Sequence, residues 1–93
     1  PTSADKEDHV SMGAWAARKA AMVVLNTRRV LAMELLAAAQ GIEFLRPLRS
    51  TPPLEKAHRL IRKRIPRLDR DRILHDDVVI VDHLIGQGHF SEI

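Results

Sequence analysis

The chain has 93 residues, which sets an upper bound of one small domain. It contains no cysteine, so disulfide frameworks and thiolate metal sites are excluded. A formal net charge of +3 allows polyanion binding without indicating it, and 3% aromatic residues are too few for a base-stacking platform.

Pro1-Thr2-Ser3 has neither a basic region nor an apolar run behind it and does not read as a signal peptide. There is no initiator methionine, and the chain is expected to be part of a longer polypeptide. Residues 1–9 read as a polar loop leading into a helix cap, with Asp5, Glu7 and Asp8 suited to the positive end of a helix dipole. From Val10 to Gln40 there is no proline, and alanine, leucine and methionine dominate. This predicts one helix of about 45 Å at the usual rise, closed by Gly41 at its C′ position.

The faces of that helix decide what surrounds it. Between Ala14 and Gln40 the only charges are Arg18, Lys19, Arg28, Arg29 and Glu34. Val30 to Ala39 is apolar almost all round. A helix of that kind belongs inside a larger assembly. The remaining 53 residues are too few to cover it, so partners outside this chain are expected. The numbers alone (93 minus the 40 residues ending at Gln40) carry that inference.

Gly41 to Pro53 reads as a connector marked by Pro47, Pro52 and Pro53, with Ser50 or Thr51 as a cap. Residues 54–93 are expected to hold short helices and a tail. Leu54, Ala57, His58, Ile61 and Ile65 repeat at helical spacing, predicting a second helix from about Pro53 to Arg64, ended by Pro66. Arg67 to Arg72 alternate in charge and predict an exposed turn with mutual pairing. Asp76 to Ile85 has strand-like composition at Val78-Val79-Ile80-Val81, yet Val78, Val81, Leu84 and Ile85 also fit a helix. Helix is preferred, capped by Asp76 or Asp77 and stopped at Gly86. The fold class is all-α: one long helix and two shorter ones.

Candidate metal sites are weak. His9, His58, His75, His83 and His89 form no tight ligand pair, and His9 beside Asp8 suits a structural hydrogen bond better than a metal. Asp69, Asp71, Asp76 and Asp77 lack the glycine and glutamate of a calcium loop. No metal is expected. Lys56, Arg59, Arg62, Lys63, Arg64 and Arg67 form a basic cluster. A nucleic-acid module is the rival reading, but no aromatic or helix-turn-helix pattern accompanies the cluster, and a solvated helix face accounts for it. No run is apolar and long enough for a membrane span.

The run Pro1-Thr2-Ser3-Ala4-Asp5-Lys6-Glu7-Asp8-His9-Val10-Ser11-Met12-Gly13 resembles the aromatic amino acid ammonia-lyases, and most of all the histidine ammonia-lyases, whose version reads P-T-S-A-N-Q-E-D-H-V-S-M. The resemblance continues through Val30-Leu31-Ala32-Met33-Glu34-Leu35-Leu36-Ala37-Ala38-Ala39-Gln40-Gly41, weakly at Leu54-Glu55, and again from Val78 to Gly88. It implies the carboxy-terminal segment of a cytoplasmic, all-helical homotetramer. The other subunits and the rest of the lyase chain would be its partners. The implied reaction takes L-histidine to trans-urocanate and ammonia. The family's electrophile is 4-methylidene-imidazol-5-one, made from an Ala-Ser-Gly tripeptide that this sequence does not contain. There is also no tyrosine to serve as the family's base, so the chain alone is expected to be inactive.

Glu7 matches the family glutamate that faces substrate, implying a catalytic or substrate-binding role; the competing reading is a helix cap. Lys6 is a weaker substrate-binding candidate. Family Asn-Gln is replaced here by Asp5-Lys6, which leaves another aromatic amino acid open as substrate, although Glu7-Asp8-His9 favours histidine. A non-catalytic helical assembly module from a split or truncated lyase gene is the alternative of a different class.

Overall fold

The computed structural model describes the backbone of residues 6–93 and the side chains from Met12 onward. Three helices follow one another: α1 (Lys6–Leu45), α2 (Pro52–Arg62) and α3 (His75–Gly86). No strand occurs among the described residues, so the chain is all-α, and Val78–Val81 is helical.

α1 does not stop at Gly41. Glycine costs a helix interior only about 1 kcal/mol, and Gly41 does not adopt the left-handed backbone that would end the helix; of the described glycines only Gly88 does, at φ 76°. The helix runs four residues further, to Leu45. Pro47 opposes continuation, because it has no backbone N–H with which to extend the helical ladder. The connector is therefore shorter than the 41–53 stretch that its prolines suggest.

α2 starts with Pro52 and Pro53, which fit a first turn because their missing N–H groups are not needed there. Thr51 occupies the N-cap position, but its side chain makes no capping hydrogen bond. Glu55 reaches back instead, and the Ser50 backbone N–H donates to its Oε1 at 2.8 Å. The helix ends at Arg62, short of Pro66. The chain then tightens into a turn, in which the Arg64 and Ile65 N–H groups both donate to the Ile61 carbonyl at 3.1 and 2.9 Å.

The buried core is small. Ala32 and Ala39 of α1 meet Ile61 of α2, Ile65 just beyond it, and Val81 of α3, with Leu35, Leu36, Val78, Ile80, Ile85 and Phe90 packed around them. Residues 32, 35, 36 and 39 lie on one face of α1 by helical spacing. The two alanines bring the backbones of α1 and α3 close. α3 makes the larger part of the contact with α1, and α2 meets α1 through Ile61 in the core and through the hydrogen bonds of His58 and Arg62 to Glu43.

The rest of α1 is bare. Every described residue from Met12 to Thr27 is exposed within this chain, including Trp15, Met22, Val23, Val24 and Leu25. Leu31 is exposed as well, and Leu35 and Leu36 are only half-covered. This chain therefore does not enclose its own long helix. Among the described residues, no helix is long and apolar enough to cross a membrane.

Candidate functional site

Lys6 and Glu7 fall in the first turn of α1, since the helix begins at Lys6. Their side chains lie outside the described residues, as do Asp5 and the side chain of His9. What the structure does describe is the frame that holds α1, built from three polar joints that local sequence pattern does not reveal.

The first joint fastens α3 to α1. Arg28 Nε donates to Asp82 Oδ1 at 2.7 Å, and its Nη2 donates to Oδ2 at 3.3 Å. The hydrogen bond to Asp82 raises the Arg28 pKa further above its already high value. Gly86, one turn beyond Asp82, makes room for this guanidinium. A β-carbon there would lie 2.6 Å from Arg28 Nη1.

The second joint closes the α1–α2 connector. Arg46 donates through Nη1 and Nη2 to the two carboxylate oxygens of Glu55 at 2.8 and 2.7 Å, a fork-to-fork pairing. Arg49 stands 3.6 Å from the same carboxylate. With the Ser50 N–H, these donors hold the Glu55 carboxyl at a pKa of about 2; the Arg46 hydrogen bonds are the largest cause and the Ser50 backbone bond the next. Glu55 is among the most buried residues of the chain, whereas Leu54 beside it is exposed. That reverses the periodicity expectation, which placed Leu54 on the inner face. Satisfied by so many donors, the carboxylate tolerates burial.

The third joint sits in the last turns of α1. Glu43 Oε1 accepts from His58 Nε2 at 2.9 Å and from Arg62 Nε at 2.8 Å. The Arg62 hydrogen bond is the main reason the Glu43 pKa lies below the ordinary range; burial opposes the shift. Arg62 thus leaves the basic cluster, while Lys56, Arg59, Lys63, Arg64 and Arg67 remain exposed as a solvated face. Nearby, Gln40 fixes the chain after α2. Its Nε2 donates to the Leu68 carbonyl at 3.1 Å, and its Oε1 accepts from the Leu68 N–H at 2.9 Å.

In the exposed turn, Arg67 pairs with Asp69 at 2.9 Å as expected. Arg72 instead turns to Asp77 of α3 at 3.0 Å and to the carbonyls of Pro66 and Arg67. Asp77 is therefore an ion-pair partner in the first turn of α3 and not its cap; that position is Leu74, without a side-chain capping bond. No group of three or more histidine or acidic side chains that could hold a metal occurs among the described residues.

Two apolar hollows flank the core. One, of about 440 Å³, lies along α1 and the connector after α2, lined by Met33, Leu36, Phe44, Ile65, Leu68 and Leu74 among others. The second, of about 510 Å³, lies between α1, the start of α2 and the tail, at Leu31, Leu35, Leu54, Ile85 and Phe90. Both are open, and neither collects the acid, base and nucleophile groups of an active site.

α1 is thus a long helix with exposed apolar residues, held at one end by polar joints and carrying Lys6 and Glu7 in its first turn at the other. The chain matches the aromatic amino acid lyase family over residues 1–63, and it belongs to that family. It is 50% identical over 91 residues to histidine ammonia-lyase of Rhodospirillum rubrum, covering 98% of this chain and 18% of that protein. It is 52% identical over 92 residues to histidine ammonia-lyase of Caenorhabditis elegans and 54% identical over 92 residues to that of Homo sapiens. Each of these matches covers 99% of this chain and 14% of the relative. The chain thus spans less than a fifth of the length of these curated relatives.

Proposed function

We propose that this chain is the carboxy-terminal helical segment of an ammonia-lyase that converts L-histidine to trans-urocanate and ammonia. The observation that carries the reading is the identity of 50–54% over nearly all of the chain to proteins named histidine ammonia-lyase. The exposed apolar length of α1 supports it physically, because such a surface needs helices from the rest of the lyase chain and from other subunits of a homotetramer. The cytoplasm is the proposed compartment.

The electrophile that family resemblance implies does not fit this segment. No Ala-Ser-Gly is present from which 4-methylidene-imidazol-5-one could form, so that group belongs to residues outside this chain and no step is drawn through it here. The contribution proposed for this chain is narrower. Glu7, in the first turn of α1, contacts the substrate's ammonium or imidazole and exchanges a proton with it. Lys6 beside it pairs with Glu7 or with the substrate carboxylate. α1 holds that turn at a fixed place in the assembly.

The experiment is the appearance of urocanate absorbance with L-histidine, catalysed by the longer protein and by its Glu7→Gln and Glu7→Ala variants. The wild type should form urocanate. Both variants should assemble normally and lose orders of magnitude in kcat/KM. No urocanate from the wild type rejects histidine as substrate, and L-phenylalanine and L-tyrosine are then the substrates to try. Near-normal kcat/KM in both variants reduces Glu7 to a helix-capping residue. An assembly-competent wild type that acts on none of these amino acids points to the non-catalytic module.

A further inference from the structure

We draw no further inference here: the strongest candidate, the open apolar hollow of about 440 Å³ between α1 and the connector after α2, carries nothing because nothing in the structure shows what covers it.

Discussion

Val81 tests whether α3 is fastened to α1 by packing. Its side chain is fully buried against Ala32, Ala39, Ile61 and Ile65. Val81→Ala removes two methyl carbons, worth about 0.8 kcal/mol each. A cavity contribution adds to this, because the neighbouring alanines have no side-chain length with which to fill the space; the sum is roughly 1.5–3 kcal/mol. Where α3 opens as a unit, its amides from Val78 to Ile85 should exchange with solvent about 15- to 150-fold faster at 25 °C. The reference is Val79→Ala on the same helix. Val79 is half-exposed, so its truncation should cost this chain no more than about 0.5 kcal/mol. Both variants replace a β-branched residue by alanine and share the same small gain in helix propensity, which cancels in the comparison. Hydrogen exchange followed by mass spectrometry on the longer protein reads the difference. Equal exchange in Val81→Ala and wild type would refute the docking of α3 on Ala32 and Ala39.

At Gly86 two effects of opposite sign compete. Alanine favours a helix interior over glycine by up to about 1 kcal/mol, but its β-carbon would displace the Arg28 guanidinium from Asp82. Gly86→Ala should therefore stabilise α3 in an Arg28→Ala background and gain less, or lose, in the wild type; strict additivity in that double-mutant cycle counts against the joint. The Glu55 carboxyl, with its folded pKa depressed to about 2, contributes stability that is present above the unfolded value near 4.5 and lost as pH falls through about 2. Protection of the α2 amides should fall across that window and fall less in Glu55→Gln, with Glu43 supplying the remaining acid sensitivity in the same direction; identical acid profiles would deny the carboxylate this role. Val24→Glu changes a residue that is 65% exposed in this chain and would be nearly neutral on a true surface. In the longer protein it should prevent assembly, as read by light scattering, and an unchanged oligomer would mean that this face of α1 stays in water.

The long helix was legible because its signal is local. An unbroken run of strong helix formers and an apolar surface on nearly every side need no knowledge of the rest of the fold. The helical state of Val78–Val81 was harder, since four β-branched residues in a row suit a strand, and only the wider spacing through Leu84 and Ile85 tips the balance. The misplaced stop at Gly41 has a clear origin. Glycine permits a helix end without requiring one, and tertiary anchoring decides. Glu43 and Arg46, just beyond Gly41, are tied to α2 by the residues 15, 19 and 9 positions further on, which holds the last turn of α1 in place. Such pairings join residues whose sequence neighbourhoods show only a surface charge. For the same reason Leu54, counted in the apolar repeat of α2, is exposed while its neighbour Glu55 is buried. The first-turn candidates Lys6 and Glu7 rest on resemblance, and the geometry of their side chains is outside what the structure describes.

The two halves of α1 are in different physical situations within this chain. From Arg28 onward the helix is clasped: Asp82 holds Arg28, the core alanines receive α3, Leu68 is pinned by Gln40, and α2 grips Glu43 and, just past the helix end, Arg46. From Met12 to Thr27, among the described residues, nothing packs against it closely enough to bury a side chain. The exposed residues there, Met12, Trp15, Met22, Val23, Val24 and Leu25, do not line up as one stripe. They point in several directions around the axis, since successive residues are offset by about 100° in a helix of 3.6 residues per turn. A single partner helix covers one stripe and would leave the others wet. Burying apolar surface on several sides would therefore take more than one neighbour, which is why Val24→Glu, on the half of α1 that this chain leaves bare, is the sharper test of the proposed assembly.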